Sequence, residues 1–343
     1  MSARLTFDEL ADMAAGLSRV DIACHRSPDA DTLGSALALF SVINANGGDA
    51  EIKCADRVGE RLRFLIDGRV GNAVTINSEF RAGAERISVD VASVSQLGSL
   101  WSEDGGEYLF MIDHHPDGDG RFAPCLTDTT AAANGEIIFD LIEKMTARGV
   151  WKNVPRNTWT YLFAAISGDT GSFCYGNTTA KTHTVASELI KRGADFELCS
   201  FLLHKLRFER EAAAEALAVS SMKRYCGGKL AVSTLSSRAM SAAGLESSDF
   251  GAISDIMRCY DGVLVGASVR ESKEKEGEWR VSLRANVPVD CASVAKRFGG
   301  GGHTQAAGFN VAAESAISAE KITADAVSEA IREYEKSTEG HIT

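Results

Sequence analysis

Tyr108-Leu-Phe-Met-Ile-Asp113-His114-His115 is the stretch on which the reading of this chain turns. An apolar run ending in an acid and two imidazoles reads as a buried strand that delivers ligand-type side chains at its carboxyl end. Two adjacent histidines after an aspartate have little packing purpose; the plainer alternative is a polar loop running into the turn residues Pro116-Asp117-Gly118. Three other segments share the pattern. Arg19-Val-Asp-Ile-Ala-Cys24 leads into His25-Arg-Ser-Pro-Asp29-Ala-Asp31, Glu85-Arg-Ile-Ser-Val runs into Asp90, and Asp169 stands in Ser167-Gly-Asp-Thr-Gly171 after an apolar helical stretch.

Working outward, residues 31–44 form an amphipathic helix stopped by Gly47-Gly48, and a strand returns over 50–54. Helices are expected at about 134–148, 156–166 and 181–193. The result is an α/β domain over 1–195, a mainly parallel sheet flanked by helices. Ligands of such open sheets collect beyond the carboxyl ends of the strands, where His25, Asp90 and Asp113 to His115 all fall. A helical connector is expected over 196–227, interrupted at Gly227-Gly228. A smaller α/β domain follows over 228–335, with strands at 229–235, 262–270 and 279–284 and helices near 249–259, 290–298 and 313–335. The end, 337–343, is expected to fray.

The 343 residues, 45% hydrophobic and 24% charged, suffice for two cored domains. The eight cysteines are dispersed with no Cys-x-x-Cys, which points to neither a zinc cluster nor a disulfide framework and suggests a cytoplasmic setting. No secretory leader or membrane-length apolar run is evident, so no membrane partner is expected. A net charge of −11 argues against long nucleic acid, which is held by many Lys and Arg contacts. Short RNA or a nucleotide is the expected partner, and homodimerisation is left open.

Two metal ions about 3.5–4 Å apart require one shared carboxylate and several private ligands. Asp29 and Asp31, two apart in an extended segment, can aim carboxylates at neighbouring points, and Asp90 is the candidate shared ligand. Taken singly, Asp31 reads equally as a helix N-cap, and Asp29 or Asp169 as a turn residue. Of His114 and His115, one imidazole can bind metal while the other faces substrate. Carboxylate and imidazole donors without thiolate favour Mn²⁺, with Mg²⁺, Co²⁺, Fe²⁺ and Zn²⁺ as alternatives. In Phe298-Gly-Gly-Gly-Gly-His303, Gly300, Gly301 and Gly302 let the backbone approach phosphate and His303 adds a donor; the competing reading is a flexible loop. Arg284 is a candidate phosphate clamp or an exposed strand charge. His204 reads as an ordinary surface histidine.

Taken in order, these segments resemble the DHH phosphoesterase superfamily. Phe298 to His303, followed by Ala306-Ala-Gly-Phe309, resembles the signature of the DHH-associated C-terminal domain, and the similarity runs from about residue 18 to 310. It is greatest to standalone enzymes that degrade nanoRNA and remove the 3′-phosphate of phosphoadenosine phosphate. The resemblance implies that His25, Asp29 and Asp90 bind one metal, and that Asp31, Asp90, His114 and Asp169 bind the other. His115 would then sit at the scissile phosphate, and His115 and Asp113 are the catalytic candidates. Gly300, Gly301, Gly302 and His303 would hold the substrate from the second domain, which is expected to close over it, with Arg284 a further candidate from the residue reading alone. Alternatives are a phosphodiesterase of cyclic or linear dinucleotide signals, or a non-catalytic nucleotide- or RNA-binding module. The glycine-histidine segment counts against pyrophosphate as substrate.

Overall fold

The computed structural model describes residues 3–102, 106–116, 122–273 and 275–339. The turn expected at Asp117-Gly118 and the chain end beyond 339 lie outside them. Two compact units, Met1–Leu206 and Arg207–Thr343, partition the chain, so the helical stretch 196–227 is shared between them.

The first unit runs α1 (Phe7–Ala15), β1 (Arg19–Ala23), α2 (Ala30–Ala45), β2 (Asp49–Lys53), β3 (Ile76–Asn77), β4 (Glu85–Val89), β5 (Phe110–Asp113), β6 (Cys125–Thr127), α3 (Asn134–Ala147), α4 (Arg156–Asp169), α5 (Ala180–Lys191) and α6 (Phe196–Ser200). Its strands lie in the order β3-β2-β1-β4-β5-β6. Every pairing is parallel, with Ile22 beside both Ile52 and Ile87. Strands buried on both faces carry apolar side chains on both, which is why β5 reads as an unbroken hydrophobic run. Val20, Ile22, Ile87 and Ile112 pack on Leu33 and Leu37 of α2, Ile138 of α3 and Leu162 of α4. Ala23, Met111 and Cys125 point the other way, onto Leu97 and Leu100 of the 3₁₀ turns at 94–100.

Two features of this unit place the site. The strand order reverses between β1 and β4, which opens a crevice at their carboxyl ends. Helices α2 and α4 also approach closely: a Cβ on Gly34 would lie 2.5 Å from the Tyr161 carbonyl oxygen, and one on Gly168 would lie 2.6 Å from Ala30 Cβ. Only glycine tolerates that contact, and α4 continues three residues past the expected 166 to end on Asp169. The short strands β3 and β6 and the helix α1 were not anticipated; the two strands are too short to show a period.

The second unit contains α7 (Glu209–Ser220), β7 (Lys223–Tyr225), β8 (Leu230–Leu235), α8 (Ser237–Ala242), α9 (Ile253–Arg258), β9 (Val265–Glu271), β10 (Glu278–Ala285), α10 (Cys291–Arg297), β11 (Gly301–His303), β12 (Ala306–Ala312) and α11 (Ala316–Glu339). The sheet order is β11-β12-β10-β9-β8-β7, with β8 and β9 parallel and the other pairs antiparallel. Strand β10 alternates cleanly. Trp279, Val281, Leu283 and Ala285 join a core with Val294 of α10 and Val327 and Ile331 of α11, leaving Arg280, Ser282 and Arg284 on the opposite face. Among the described residues no helix is long and apolar enough to cross a membrane.

Candidate active site

His25 and Asp90 follow β1 and β4 on the two sides of the strand-order reversal, Asp113 ends β5, and His114 and His115 follow it. Asp29 is the N-cap of α2, its Oδ1 accepting from the backbone N–H of Asp31 (2.9 Å) and Thr32 (3.0 Å). Capping therefore falls to Asp29, which frees Asp31 for another task. Fully buried in the first helical turn, Asp31 accepts through Oδ2 from the Asn134 N–H (2.6 Å) and through Oδ1 from the Gly135 N–H (2.9 Å). Those amides open α3, whose N-terminus stabilises the carboxylate.

The side chains meet around Asp90. Its Oδ2 lies 3.6 Å from His25 Nε2, and its Oδ1 lies 3.5 Å from His114 Nε2 and 3.6 Å from His115 Nδ1. His25 Nε2 is also 3.5 Å from Asp29 Oδ1. His114 Nε2 is 3.3 Å from Asp169 Oδ2 and 3.7 Å from Asp31 Oδ2. Ligand-type atoms thus fall into overlapping groups, each within 4.8 Å: His25, Asp29 and Asp90; Asp31, His114 and Asp169; Asp90, His114 and His115. Asp113 Oδ1 stands apart, accepting from His115 Nδ1 (2.8 Å).

Asp90 is under two kinds of stress. Its backbone is left-handed, at φ 58°, a region L-residues seldom occupy. The carboxylate is 2% exposed and its Oδ1 receives no hydrogen bond. A buried charge without hydrogen bonds is unfavourable unless something cationic completes it.

Titration behaviour shows the same tension. Burial, then the charges of Asp90 and Asp169, push the Asp31 carboxyl well above its ordinary range. Burial raises Asp169 to about 6 against the pull of His114. Burial opposes the charged form of His25, but the neighbouring carboxylates of Asp29 and Asp90 outweigh it and lift the imidazole to about 11. In the same way burial opposes charge on His114, and Asp90 with Asp31 raises it to about 10. Without a metal, the imidazoles take the cationic role. The donors fit divalent cations well: hard oxygens and imidazole nitrogens from four separate segments, with an orphaned oxygen at their centre. Cys24 and Cys54 lie close by, but burial raises both thiols, and neither joins a ligand group.

Thr32 was not singled out from sequence. Its hydroxyl donates to the Val89 carbonyl (3.0 Å) and accepts from the His25 N–H (3.3 Å), tying α2, β4 and the end of β1 together. A threonine in a helical first turn carries no sequence signal for this. His204 is half-buried, with Nε2 2.9 Å from Ser167 Oγ, and is not the surface histidine expected.

The remaining candidates lie in the second unit. Gly301 to His303 form β11, an edge strand paired with β12. A Cβ on Gly300 would lie 2.3 Å from the Gly308 carbonyl oxygen, and one on Gly302 would lie 2.4 Å from that of Ala306. Both glycines are therefore required by the fold itself. The Gly300 N–H is spent on the Ala295 carbonyl (2.9 Å) that ends α10. Gly301 alone among Gly300 to Gly302 has open space where a Cβ would go and a backbone outside the left-handed region. His303 is exposed, and Arg284 Nε lies 3.4 Å from Asp255 Oδ2.

Residues 19–166 match the DHH family, N-terminal domain, and residues 227–335 match the DHHA1 domain. The chain is 30% identical over 83% of its length to a probable bifunctional oligoribonuclease and PAP phosphatase NrnA of Streptococcus mutans, 87% of which is covered. It is also 30% identical over 84% of its length to the bifunctional oligoribonuclease and PAP phosphatase NrnA of Thermus thermophilus, 82% of which is covered. Among solved structures, an exopolyphosphatase-related protein from Bacteroides fragilis is similar with a TM-score of 0.79 at 20% identity, covering 94% of this chain and 95% of that one. That likeness concerns the fold alone.

Proposed function

The chain belongs to the DHH family of metal-dependent phosphoesterases, and from that premise we propose that it hydrolyses short oligoribonucleotides to mononucleotides and removes the 3′-phosphate of phosphoadenosine phosphate. The observation that carries this reading is Asp90, strained and buried, with an oxygen that receives no hydrogen bond amid ligand groups from four segments.

His25, Asp29 and Asp90 would hold one divalent ion, and Asp31, Asp90, His114 and Asp169 the other. Mn²⁺ suits this set of oxygens and imidazoles best. When bound, such a pair lowers the pKa of water and neutralises charge developing on the phosphoryl oxygens. The protein's own part is orientation and proton transfer. Asp113 accepts from His115 Nδ1, which fixes the ring and leaves Nε2 for substrate. That hydrogen bond raises the His115 pKa, so the ring is charged more readily and can donate a proton to the leaving oxygen as the P–O ester bond breaks. The amides at the start of α3 hold Asp31 in its inward rotamer. In the second unit, Arg284, Gly301 and His303 supply a guanidinium, an unobstructed backbone and an imidazole for the substrate's phosphates. The net charge of −11 favours substrates with few phosphates over long strands.

The test is a substrate panel. With Mn²⁺, the protein should hydrolyse dinucleotides and phosphoadenosine phosphate faster than a 20-mer. No turnover of either small substrate, or faster hydrolysis of the 20-mer, would reject the proposal.

A further inference from the structure

The face of the second sheet opposite its α10/α11 core carries positive charge that the site above does not use. Arg270 of β9 and Arg280 of β10 stand directly opposite each other in register, with Asn310 of β12 opposite Arg280 on its other side. Like charges facing across a strand pair repel. Among the described residues neither guanidinium makes an ion pair within 4.0 Å. Arg270 is only 6% exposed. Its Nη1 donates to the Ser247 carbonyl (2.6 Å), its Nη2 reaches Ser282 Oγ at 3.5 Å, and its buried Nε has no partner. Burial, reinforced by the charge of Arg280, pulls its pKa below the ordinary arginine value. A buried, repelled cation with a free donor calls for an anion.

The surroundings provide the space. Arg270, Arg280 and Asn310 line a trough of about 800 Å³, and a second hollow of about 710 Å³ reaches Gly299 to Gly301; Arg280, Ser282 and Asn310 line both. The trough is therefore continuous with the glycine run and large enough for nucleotide-sized ligands. Two of the acids on its wall are already engaged, Glu278 with Lys275 and Glu271 with the Ser237 backbone and hydroxyl.

Resting on the reading of this chain as an oligonucleotide phosphoesterase, we propose that Arg270 and Arg280, in a trough that Arg284 also lines, form an additional phosphate subsite beyond the glycine run that binds a further phosphodiester of a short oligonucleotide. Arg270 is held rigid by Ser247 and Ser282, while exposed Arg280 completes the clamp.

The subsite is tested by binding, in EDTA, of labelled tetra-adenylate and di-adenylate to the full chain, read by fluorescence anisotropy. Arg280→Gln should weaken the tetranucleotide about tenfold, and the dinucleotide by at least threefold less. Arg280→Lys should recover part of the loss, because it restores the charge without the planar fork. The slope of log Kd against log salt for the tetranucleotide should fall by about 0.7, as expected for one lost single-strand phosphate contact. Equal penalties on both lengths, or none, overturn the subsite, as does wild-type protein that binds the tetranucleotide no more tightly than the dinucleotide. Hydrolysis by the Mn²⁺-loaded wild type is read separately. Its failure would sink the proposed activity while leaving the binding comparison to decide the subsite.

Discussion

The carboxyl edge of the first sheet and the open face of the second solve opposite electrostatic problems. At the first, buried carboxylates are crowded until two imidazoles and a helix N-terminus can no longer balance them, and the remaining demand is for cations. On the second, guanidiniums sit on a sheet face with too few acids, and the demand is for anions. The first is enclosed by close helix packing at Gly34 and Gly168, and its donors are preset. The second is an open ledge whose glycines serve mainly to let an edge strand lie against β12. A binding site made of crowded carboxylates and one made of guanidiniums should therefore fail in different ways when altered.

The sharpest break is Asp90→Ala. It removes the ligand shared by two of the candidate groups and should lower turnover by about a thousandfold or more, with circular dichroism unchanged and bound metal lost. Retention of both activity and metal would collapse the contrast between the two regions. Next in size is Gly300→Ala. A Cβ 2.3 Å from the Gly308 oxygen should destabilise the second unit by about 1–3 kcal/mol, seen as a lower melting transition, with metal content unaffected. His303→Ala should raise KM about tenfold with kcat and metal content near wild type; loss of metal would contradict the division of labour.

The metal-free first unit should also show a pH dependence with a definite sign. His25 and His114, lifted to about 11 and 10, contribute stability that is complete below the ordinary histidine value of 6.5 and lost as pH climbs toward those values. The raised carboxyls Asp31 and Asp169 act in the same direction, their contribution already declining above the ordinary aspartate value of 3.8. Metal-free protein should thus melt at lower temperature at pH 9 than at pH 7, while Mn²⁺ affinity rises over the same interval because the ion displaces protons. Calorimetry in buffers of different ionisation enthalpy measures the released protons. The smallest effect separates fold from ligand on the second sheet. Gly301→Ala has open space for its Cβ and should leave the unfolding free energy within about 0.5 kcal/mol of wild type, yet raise KM several-fold; an unchanged KM would remove the glycine backbone from substrate binding.

The legible part of the chain was the part with periodicity or unusual residue pairs. The runs into Cys24, Asp90 and Asp113 announced parallel strands, and the acids and imidazoles at their ends marked the edge where they meet. What stayed hidden was three-dimensional in origin. Asp31 read as the candidate helix cap and Asp29 as a turn residue, whereas Asp29 caps the helix and Asp31 takes the amides of Asn134 and Gly135, over a hundred residues away. Thr32 gave no sign of joining three elements. Nor could four consecutive glycines reveal which ones the β11/β12 contact requires, since that depends on Gly308 and Ala306 across the turn. Arg270 and Arg280 lie ten apart around a charged turn, and only the hairpin register puts them face to face.

The central claim is that Asp90 is shared by a pair of divalent ions. Anomalous diffraction from crystals soaked in Mn²⁺ tests it directly: two peaks about 3.5–4 Å apart, one beside His25 and Asp29 and one beside Asp31, His114 and Asp169, with Asp90 touching both. Manganese bound elsewhere, or a single ion that Asp90 does not contact, would contradict it.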